Sequence, residues 1–430
     1  LRILFINQYY APDFAATAQL LADLCTGLVA RGHEVHVLAS RAIYDGRKLD
    51  LPAEEILDGV HVHRIEIGSA RRGRYRERLE GYVSFLSRAF AKVHALPRYD
   101  VVVTLTTPPF LSLIGIWLRL FRRSRFVYWV MDIYPDIALR AGVLRTFGPV
   151  RLAWSLLGRI SYTGANRVVA LGESMRAVLS RKGIAEEKLS VVPCWSGGDE
   201  VRPVAHVANA FRREHFRTDD FVVMYSGNAG TCHHFRSVID CIRELKDSPN
   251  IKFVFVGGGK RLPQIQTELS GVQNVKFLPY QPRETLAESL SAADIHLVTL
   301  EPAFDGLMIP SKIYGAMAAN RPLLFVGSDS NDIAALIREN NCGEAIVVDD
   351  AESLRHTIIR LAEDREGTAA MGARGGDRFR ACFDRPIVVE QFALLLERVA
   401  EEKGVRGHRT PAHRVQMSPV GEMQESDSPR

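Results

Sequence analysis

The sequence predicts an α/β protein built as two doubly wound, Rossmann-like domains that face each other across a cleft. Three observations predict it. Short, continuous apolar runs of the kind that parallel strands covered on both faces require recur along the chain, beginning with Arg2-Ile3-Leu4-Phe5-Ile6-Asn7. Between these runs lie segments with helical apolar spacing, such as Leu20, Leu21, Leu24, Leu28 and Val29, which Arg31-Gly32 closes. The alternation breaks at Cys194-Trp195-Ser196-Gly197-Gly198-Asp199 and starts afresh at Phe221. A chain of 430 residues exceeds one ordinary core and suits two domains. The expected organisation is a first domain over 1–193, a linker over 194–219, a second domain over 220–385, a closing helix over 386–403 and a disordered polar tail over 404–430.

Composition removes several function classes. A net charge of +5 is small for this length and gives no support to a nucleic-acid partner. The six cysteines, Cys25, Cys194, Cys232, Cys241, Cys342 and Cys382, lie far apart and form no Cys-x-x-Cys pair, which suits reduced thiols in a cytoplasmic protein. Residues Leu1 to Asn7 read as a strand, without the basic n-region or cleavage site of a signal peptide. The longest apolar run, Phe110 to Phe121, is interrupted by Arg119 and is too short to span a bilayer.

In the first domain, the strand at the start runs into the loop Gln8 to Phe14 and the helix Thr17 to Ala30, followed by a strand over Glu34 to Ala39. This strand-helix-strand unit aims its first loop at the carboxyl edge of the sheet, where ligands bind in such folds. After a charged loop, Val60 to Ile67 alternates as a strand. The run Ala70-Arg71-Arg72-Gly73-Arg74-Tyr75-Arg76-Glu77-Arg78 then leads into Gly81 to Leu86. Arginines beside aromatics fit anionic lipid head groups, and they fit a solvated loop and helix start as well. Val101 to Leu105 is a buried strand. The helix Phe110 to Phe121, with Trp117 and Arg119, either packs on the sheet or dips into a membrane interface. Phe126 to Met131 is a strand that ends in Asp132-Ile133-Tyr134-Pro135-Asp136. Asp136 after Pro135 is a usual helix start, which leaves Asp132 as the acid-base candidate at the sheet mouth. A helix over Val150 to Tyr162, a strand over Arg167 to Leu171, a helix over Glu173 to Lys182 and a short strand over Leu189 to Pro193 complete the domain.

The second domain opens with the strand Phe221 to Tyr225 and the glycine-containing loop Ser226 to His234, before the helix Phe235 to Leu245. The strand Lys252 to Val256 is closed by Gly257-Gly258-Gly259-Lys260-Arg261. Glycines there let the backbone approach a ligand and the two bases meet phosphate, although all five are also good turn residues. Leu262 stands where a dinucleotide fingerprint needs its third glycine. Val275 to Leu278 is a strand entering Pro279-Tyr280-Gln281, and Glu284 to Ala292 is helical. Ile295 to Leu300 is a strand leading to Asp305, Gly306 and a helix start at Pro310-Ser311-Lys312. A cation in a first helical turn stands against the macrodipole. Either it faces an anion, for which a diphosphate fits best, or its stem lies along an exposed surface. Pro322 to Val326 and Ala345 to Val348 are the last strands; helices over Asn331 to Glu339, Ala351 to Asp364, Thr368 to Phe379 and Pro386 to Lys403 follow the same logic. There is no Asp-x-Asp, and the only adjacent histidines are His233-His234, so neither metal nor other cofactor is expected. A departing diphosphate would then be stabilised by Lys312, the helix start and nearby loops.

The order and spacing of several motifs together resemble the GT-B glycosyltransferases of family 4 (group 1), in the branch that assembles bacterial surface polysaccharides. Its carriers are Tyr10-Ala11-Pro12 with Ala15-Ala16-Thr17, Arg31 to Val35, Tyr128 to Pro135, Tyr225-Ser226-Gly227-Asn228, Phe255 to Gly259, Phe277 to Tyr280, Asp305-Gly306-Leu307 and Pro310 to Gly315. The resemblance implies a GT-B fold in which the first domain takes the acceptor and the second a nucleotide-sugar, foremost a UDP-sugar, with transfer that retains anomeric configuration and needs no metal. It implies that Ala15, Ala16 and Thr17 face the donor phosphates. Gly227, Asn228, His233, His234 and the Gly257-Gly258-Gly259-Lys260 turn would lie near the diphosphate. Lys312, beside Pro310 and Ser311, would bind it. The loop with Tyr280 and Gln281 would hold the base, and Asp305, Gly306 and Leu307 would lie by the donor sugar. Acceptors in that branch are glycans or polyprenyl-phosphate-linked sugars, which favours contact of Arg71 to Phe85 and Phe110 to Arg125 with an anionic inner membrane surface.

The chain departs from the family pattern in places. Alanines replace two common glycines at 15 and 16, Asp132 stands where a histidine is common, and His234 replaces a fixed positive charge. The family's paired glutamates fall on Leu307 and Gly315, with Asp305 the nearest carboxylate. The competing readings are a GT-B sugar-nucleotide epimerase, which would need more carboxylates converging on the cleft, and a non-catalytic GT-B binding partner.

Overall fold

The structure, a computed structural model, describes residues 1–13, 15–43, 49–67, 75–142 and 148–402. The basic run at 71–74 and the polar tail from 404 fall outside the described residues. Eight strands form the first sheet: β1 (Arg2–Ile6), β2 (Glu34–Ser40), β3 (Glu54–Leu57), β4 (Val60–Ile65), β5 (Val101–Thr104), β6 (Arg125–Trp129), β7 (Arg167–Ala170) and β8 (Leu189–Val191). Their spatial order is β3-β4-β2-β1-β5-β6-β7-β8, parallel throughout except for the β3–β4 pair. β1 sits at the centre. Ile3, Leu4, Phe5 and Ile6 are fully buried because Ile3 and Phe5 meet one apolar layer while Leu4 and Ile6 meet another, which is why the run is apolar at every position rather than alternating.

The second sheet holds β9 (Phe221–Asn228), β10 (Ile251–Gly258), β11 (Val275–Leu278), β12 (Ile295–Thr299), β13 (Leu323–Gly327) and β14 (Gly343–Val347), all parallel, in the order β11-β10-β9-β12-β13-β14. Strand order reverses between β1 and β5 in the first sheet and between β9 and β12 in the second. The crevice beyond the carboxyl ends of strands at such a reversal is where α/β sheets take ligands. In the second sheet that rule selects the segment after Gly227-Asn228 and the segment from Leu300 to Lys312.

Three sequence expectations need correction. The charged loop before β4 contains a strand, β3. Glu54 and Glu55 mask it, but Asp58 (φ 50°) and Gly59 (φ 80°) form the tight turn that returns the chain antiparallel, with Ile56 opposite His61. The glycine loops after Tyr225 and Val256 are, at their beginnings, still strand: Gly227 pairs with Gly257 and Asn228 with Gly258. Finally, the segment 194–219 carries a short helix, Ala210–His215, whose start is capped by the Asn209 side chain accepting from Arg212 N at 2.8 Å.

The helix Arg385–Glu401 lies on the helix Ala16–Ala30 of the first domain. Gly27 makes the approach possible, because a Cβ there would stand 2.4 Å from Val389 Cγ1. Phe392 meets the buried Trp129 edge-on at 4.8 Å, and Trp195 stacks on the same indole at 5.8 Å. The Trp195 indole N–H donates to Asp23 at 3.2 Å. Arg385 pairs with Asp23, Asp199 and Glu200, while Arg283 of the second domain also reaches Glu200 and Asp23. The two domains, the segment between them and the closing helix are thereby tied together at one end of the cleft.

Candidate active site

The site is built outward from Lys312, the first residue of the helix Lys312–Ala318. Its stem passes Gly227 and its ammonium lies 3.7 Å from the ring centroid of Tyr225, the last large residue before the glycine of β9. Nζ is sealed from solvent and has no hydrogen-bond partner among the described residues, although part of the stem remains accessible. Burial pushes its pKa well below the usual 10.5. An aromatic face compensates a desolvated cation only in part. Phosphate oxygens are strong partners for such a group.

The neighbours of Lys312 come from the carboxyl ends of β9, β10 and β12. His233 donates its Nδ1–H to the carbonyl oxygen of Thr299 at 2.6 Å and meets Tyr225 edge-on at 5.9 Å. Burial, and after it the charge of Lys312, push His233 down to about 3, so its ring is neutral at ordinary pH. Arg261 donates to the carbonyl oxygen of His233 at 3.1 Å and lies 3.9 Å from Glu301. The Tyr225 hydroxyl donates to the Asn228 carbonyl at 2.9 Å, fixing the strand end beneath the cluster.

Glycines shape the floor. At Gly257 (φ 129°) a side chain would collide with the Gly227 carbonyl, its Cβ only 2.4 Å away, so the ends of β9 and β10 can lie side by side only without one. The same bare backbone at Gly257 and Gly258 receives the ring of Tyr280, whose atoms lie 3.1 and 3.0 Å from where their Cβ atoms would be. Tyr280 is itself more than half exposed. Gln281 folds back to donate to Pro279 O at 3.0 Å.

Other expected residues take the following places. His234 turns from the Lys312 cluster to Ser237, at 3.0 Å, and to Glu301, at 3.3 Å. Lys260 is exposed, and it is Arg261 beside it that bonds to His233. Ala15 precedes the helix Ala16–Ala30 without a capping side chain, its N–H held by Asp13 at 2.9 Å; no acid occupies the first turn, and Thr17 is half-buried. Pro310 is buried, and Ser311 makes no capping bond. Asp305 accepts from Asn331 Nδ2 at 2.9 Å. Gly306 and Leu307 lie against the first domain, with the Leu307 carbonyl accepting from Ile133 N at 2.9 Å. Gly315 faces Leu290, whose Cδ1 is 3.1 Å from a Cβ built there, so a side chain at that position would have to shift the end of Leu290 by a few tenths of an ångström.

Asp132 is half-buried where the domains meet. Burial, and after it the charge of Asp132, raises the thiols of Cys194, to about 12, and Cys232, to about 11. Cys232 belongs to the segment that follows β9, so the first domain's carboxylate and the second domain's ligand loop share one electrostatic environment. Among the described residues no group of three or more His, Cys, Asp or Glu side chains is placed to hold a metal. The role of Tyr225 was not assigned by motif, since it depends on how strand ends converge; an aromatic closing a buried strand just before a glycine was the available signal, whereas Arg261 already stood with Lys260 as a candidate phosphate contact.

Comparison with known proteins agrees with this geometry. Residues 16–195 match the glycosyl transferase 4-like domain and residues 220–364 the glycosyl transferases group 1 model, one on each sheet. The chain belongs to the group 1 glycosyltransferases and has their GT-B fold. Among curated relatives, it is 28% identical to a probable glycosyltransferase, WbjE, of Pseudomonas aeruginosa, over 72% of this chain and 77% of that one. It is 26% identical to a putative colanic acid biosynthesis glycosyl transferase, WcaI, of Escherichia coli K12, over 74% and 81%. Among solved structures, Anabaena HepE in complex with UDP-glucose superposes with a TM-score of 0.67 at 17% identity, covering 92% of this chain and 99% of that one, a likeness of fold.

The depressed histidine has a measurable sign. An unfolded chain protonates His233 near 6.5, whereas the folded protein does so only at about 3, so stability is present in full above about pH 6.5 and falls as pH drops toward 3. His206 and His296, both lowered to about 4, act in the same direction. In a proton NMR titration the His233 ring is expected to stay neutral down to about pH 5; a midpoint near 6.5 would show that it is not sealed beside Lys312.

Proposed function

We propose that the chain is a retaining glycosyltransferase that moves a sugar from a UDP-sugar to a glycan or polyprenyl-phosphate-linked acceptor in surface-polysaccharide assembly. The observation that carries this reading is the solvent-sealed, unpaired ammonium of Lys312 at the strand-order reversal of the second sheet. The names of the curated relatives support the pathway class, and the UDP-glucose held by a protein of the same fold supports the donor class.

In this reading Lys312, with Arg261 nearby, neutralises charge that grows on the departing diphosphate; that is an interaction stronger in the transition state than in the ground state. No metal is required for that step. The loop bearing Tyr280 and Gln281 takes the base, the glycines of β9 and β10 let backbone approach the phosphates, and the Asp305 to Leu307 loop takes the sugar. The sugar's anomeric C–O bond breaks with its electron pair passing to the phosphate. The acceptor hydroxyl bonds to the face just vacated, and its proton goes to the departing phosphate oxygen. Asp132 stands on the acceptor side of the cleft, where its charge orients the incoming hydroxyl.

A lipid-linked acceptor calls for a surface that meets a membrane. Leu113, Leu120 and Phe121 on the helix Ser112–Arg122 and Leu152, Leu156 and Ile160 on the helix Gly148–Thr163 are exposed, with Arg123, Arg151 and Arg159 exposed among them. Apolar side chains interspersed with arginines suit an anionic interface. None of the described helices is long and apolar enough to cross a membrane.

Two experiments follow. Incubation with UDP-, GDP- and dTDP-sugars and a polyprenyl-diphosphate-sugar acceptor is expected to release UDP and form a product of retained configuration; donor binding without turnover across the panel would favour the non-catalytic reading. Anionic vesicles are expected to sediment the protein at low salt, and Leu120→Glu with Phe121→Glu to abolish it; equal sedimentation of the variant would exclude this surface.

A further inference from the structure

We propose that Asp332 is a positioning residue that locks the two domains together over the reacting groups: from the second domain it supplies the N-terminal cap of a first-domain helix, and so seats the Asp305–Ile309 loop beside Asp132. The proposal rests on the transferase reading for its UDP-affinity and kinetic arms, and not for its effect on the dimensions of the chain.

The helix Glu173–Arg181 has glycine at the position that normally caps. Its first-turn N–H groups therefore receive no acceptor from a capping side chain. Asp332 provides one from across the cleft. Its Oδ1 and Oδ2 both lie 3.0 Å from Ser174 N, and the Ser174 hydroxyl donates to Oδ1 at 2.7 Å. A carboxylate at this helix end also meets the positive pole of the macrodipole.

Asp332 begins the helix Asp332–Asn340, and the residue before it, Asn331, is that helix's own cap, accepting from Ile333 N at 2.9 Å. The same Asn331 side chain donates to Asp305 at 2.9 Å. One dipeptide thus has two functions: Asn331 holds the loop that the proposed reaction places at the donor sugar, and Asp332 reaches the opposite domain. The loop itself completes the seal. Leu307 accepts from Ile133 N, the residue after Asp132, and Gly306 lies against Ser174 and Val178, where a Cβ would stand 2.8 Å from the Ser174 carbonyl and 2.7 Å from Val178 Cγ2. Each of these contacts crosses between the domains except those of Asn331, and the crossing ones converge on residues 172–178 and 133.

Gly172 supplies a clean test. Its backbone is extended (φ −168°, ψ 174°), a conformation any residue adopts, so alanine costs nothing within the first domain. In the assembled cleft, however, its Cβ would stand 2.3 Å from Asp332 Oδ2 and 2.7 Å from Ile309 Cδ1. Gly172→Ala is felt only when the domains close, where it pushes the Asp332 carboxylate off Ser174 and so breaks the cap without touching Asp332 itself.

The full chain is compared with Gly172→Ala, Asp332→Ala and Asp332→Asn by small-angle scattering with UDP present, by calorimetric UDP affinity and by kcat for transfer. Gly172→Ala and Asp332→Ala are expected to show a larger radius of gyration and a kcat lower by about tenfold or more, with UDP affinity within about threefold, because the charged groups assigned to the diphosphate, Lys312 and Arg261, both lie in the second domain. Asp332→Asn, which keeps one acceptor oxygen, is expected to fall between. Unchanged dimensions in both variants would overturn the proposal even if no transfer is detected with any donor. Loss of UDP affinity in step with kcat would overturn it too, since Asp332 would then merely stabilise its own domain.

Discussion

A lysine amino group held out of water, with no counter-ion among the described residues, is the constraint on which the rest of the structure turns. Such a group costs several kcal/mol to bury, and a fold retains it only where something else offsets the cost or where a ligand completes it. Here the offset is partial. The face of Tyr225 supplies some attraction to Lys312, while the neutral His233 adds no opposing charge. Everything nearby is arranged for close approach of an anion: the paired glycines of β9 and β10, the converging carboxyl ends of three parallel strands, and Arg261 bonded to the His233 carbonyl.

The second constraint is that this half-built site must meet the first domain. At one end of the cleft, Arg385 and Arg283 share Asp23, Asp199 and Glu200, joining both domains to the segment that connects them. At the other, Asp332 and the Gly306-Leu307 backbone grip residues 172–178 and Ile133. Asp132 lies beside the latter set, so the distance from the first domain's carboxylate to the ligand loops is governed by contacts that opening of the cleft would break. Binding energy from remote parts of a donor can be spent on such closure.

Much of this was legible in the sequence for reasons of burial. A strand covered on both faces must be apolar at successive positions, so β1, β5, β9 and β12 announce themselves, and their spacing implies parallel crossovers. β3 did not, because an edge strand with one solvent face tolerates Glu54 and Glu55 and leaves only the Asp58-Gly59 turn as a trace. Lys312 stood out because its charge opposes the helix dipole. The partition between His233 and His234 was not readable: adjacent residues leave the chain in different directions, and only the fold decides which meets Thr299 and which meets Ser237. Nor could Gly172 and Asp332, 160 positions apart on the chain, be paired without the structure that brings them together.

The affinity of UDP for the wild-type protein and for Lys312→Met, measured by calorimetry with a chelator present, tests the central point most directly. Removing one partner of a buried charge pair costs about 3 kcal/mol or more, so binding is expected to weaken about 100-fold, while uridine, which has no phosphate, is expected to bind both proteins alike. Affinity for UDP within about threefold of wild type, or wild-type binding that vanishes without a divalent ion, would contradict the assignment of Lys312 as the group that receives the diphosphate.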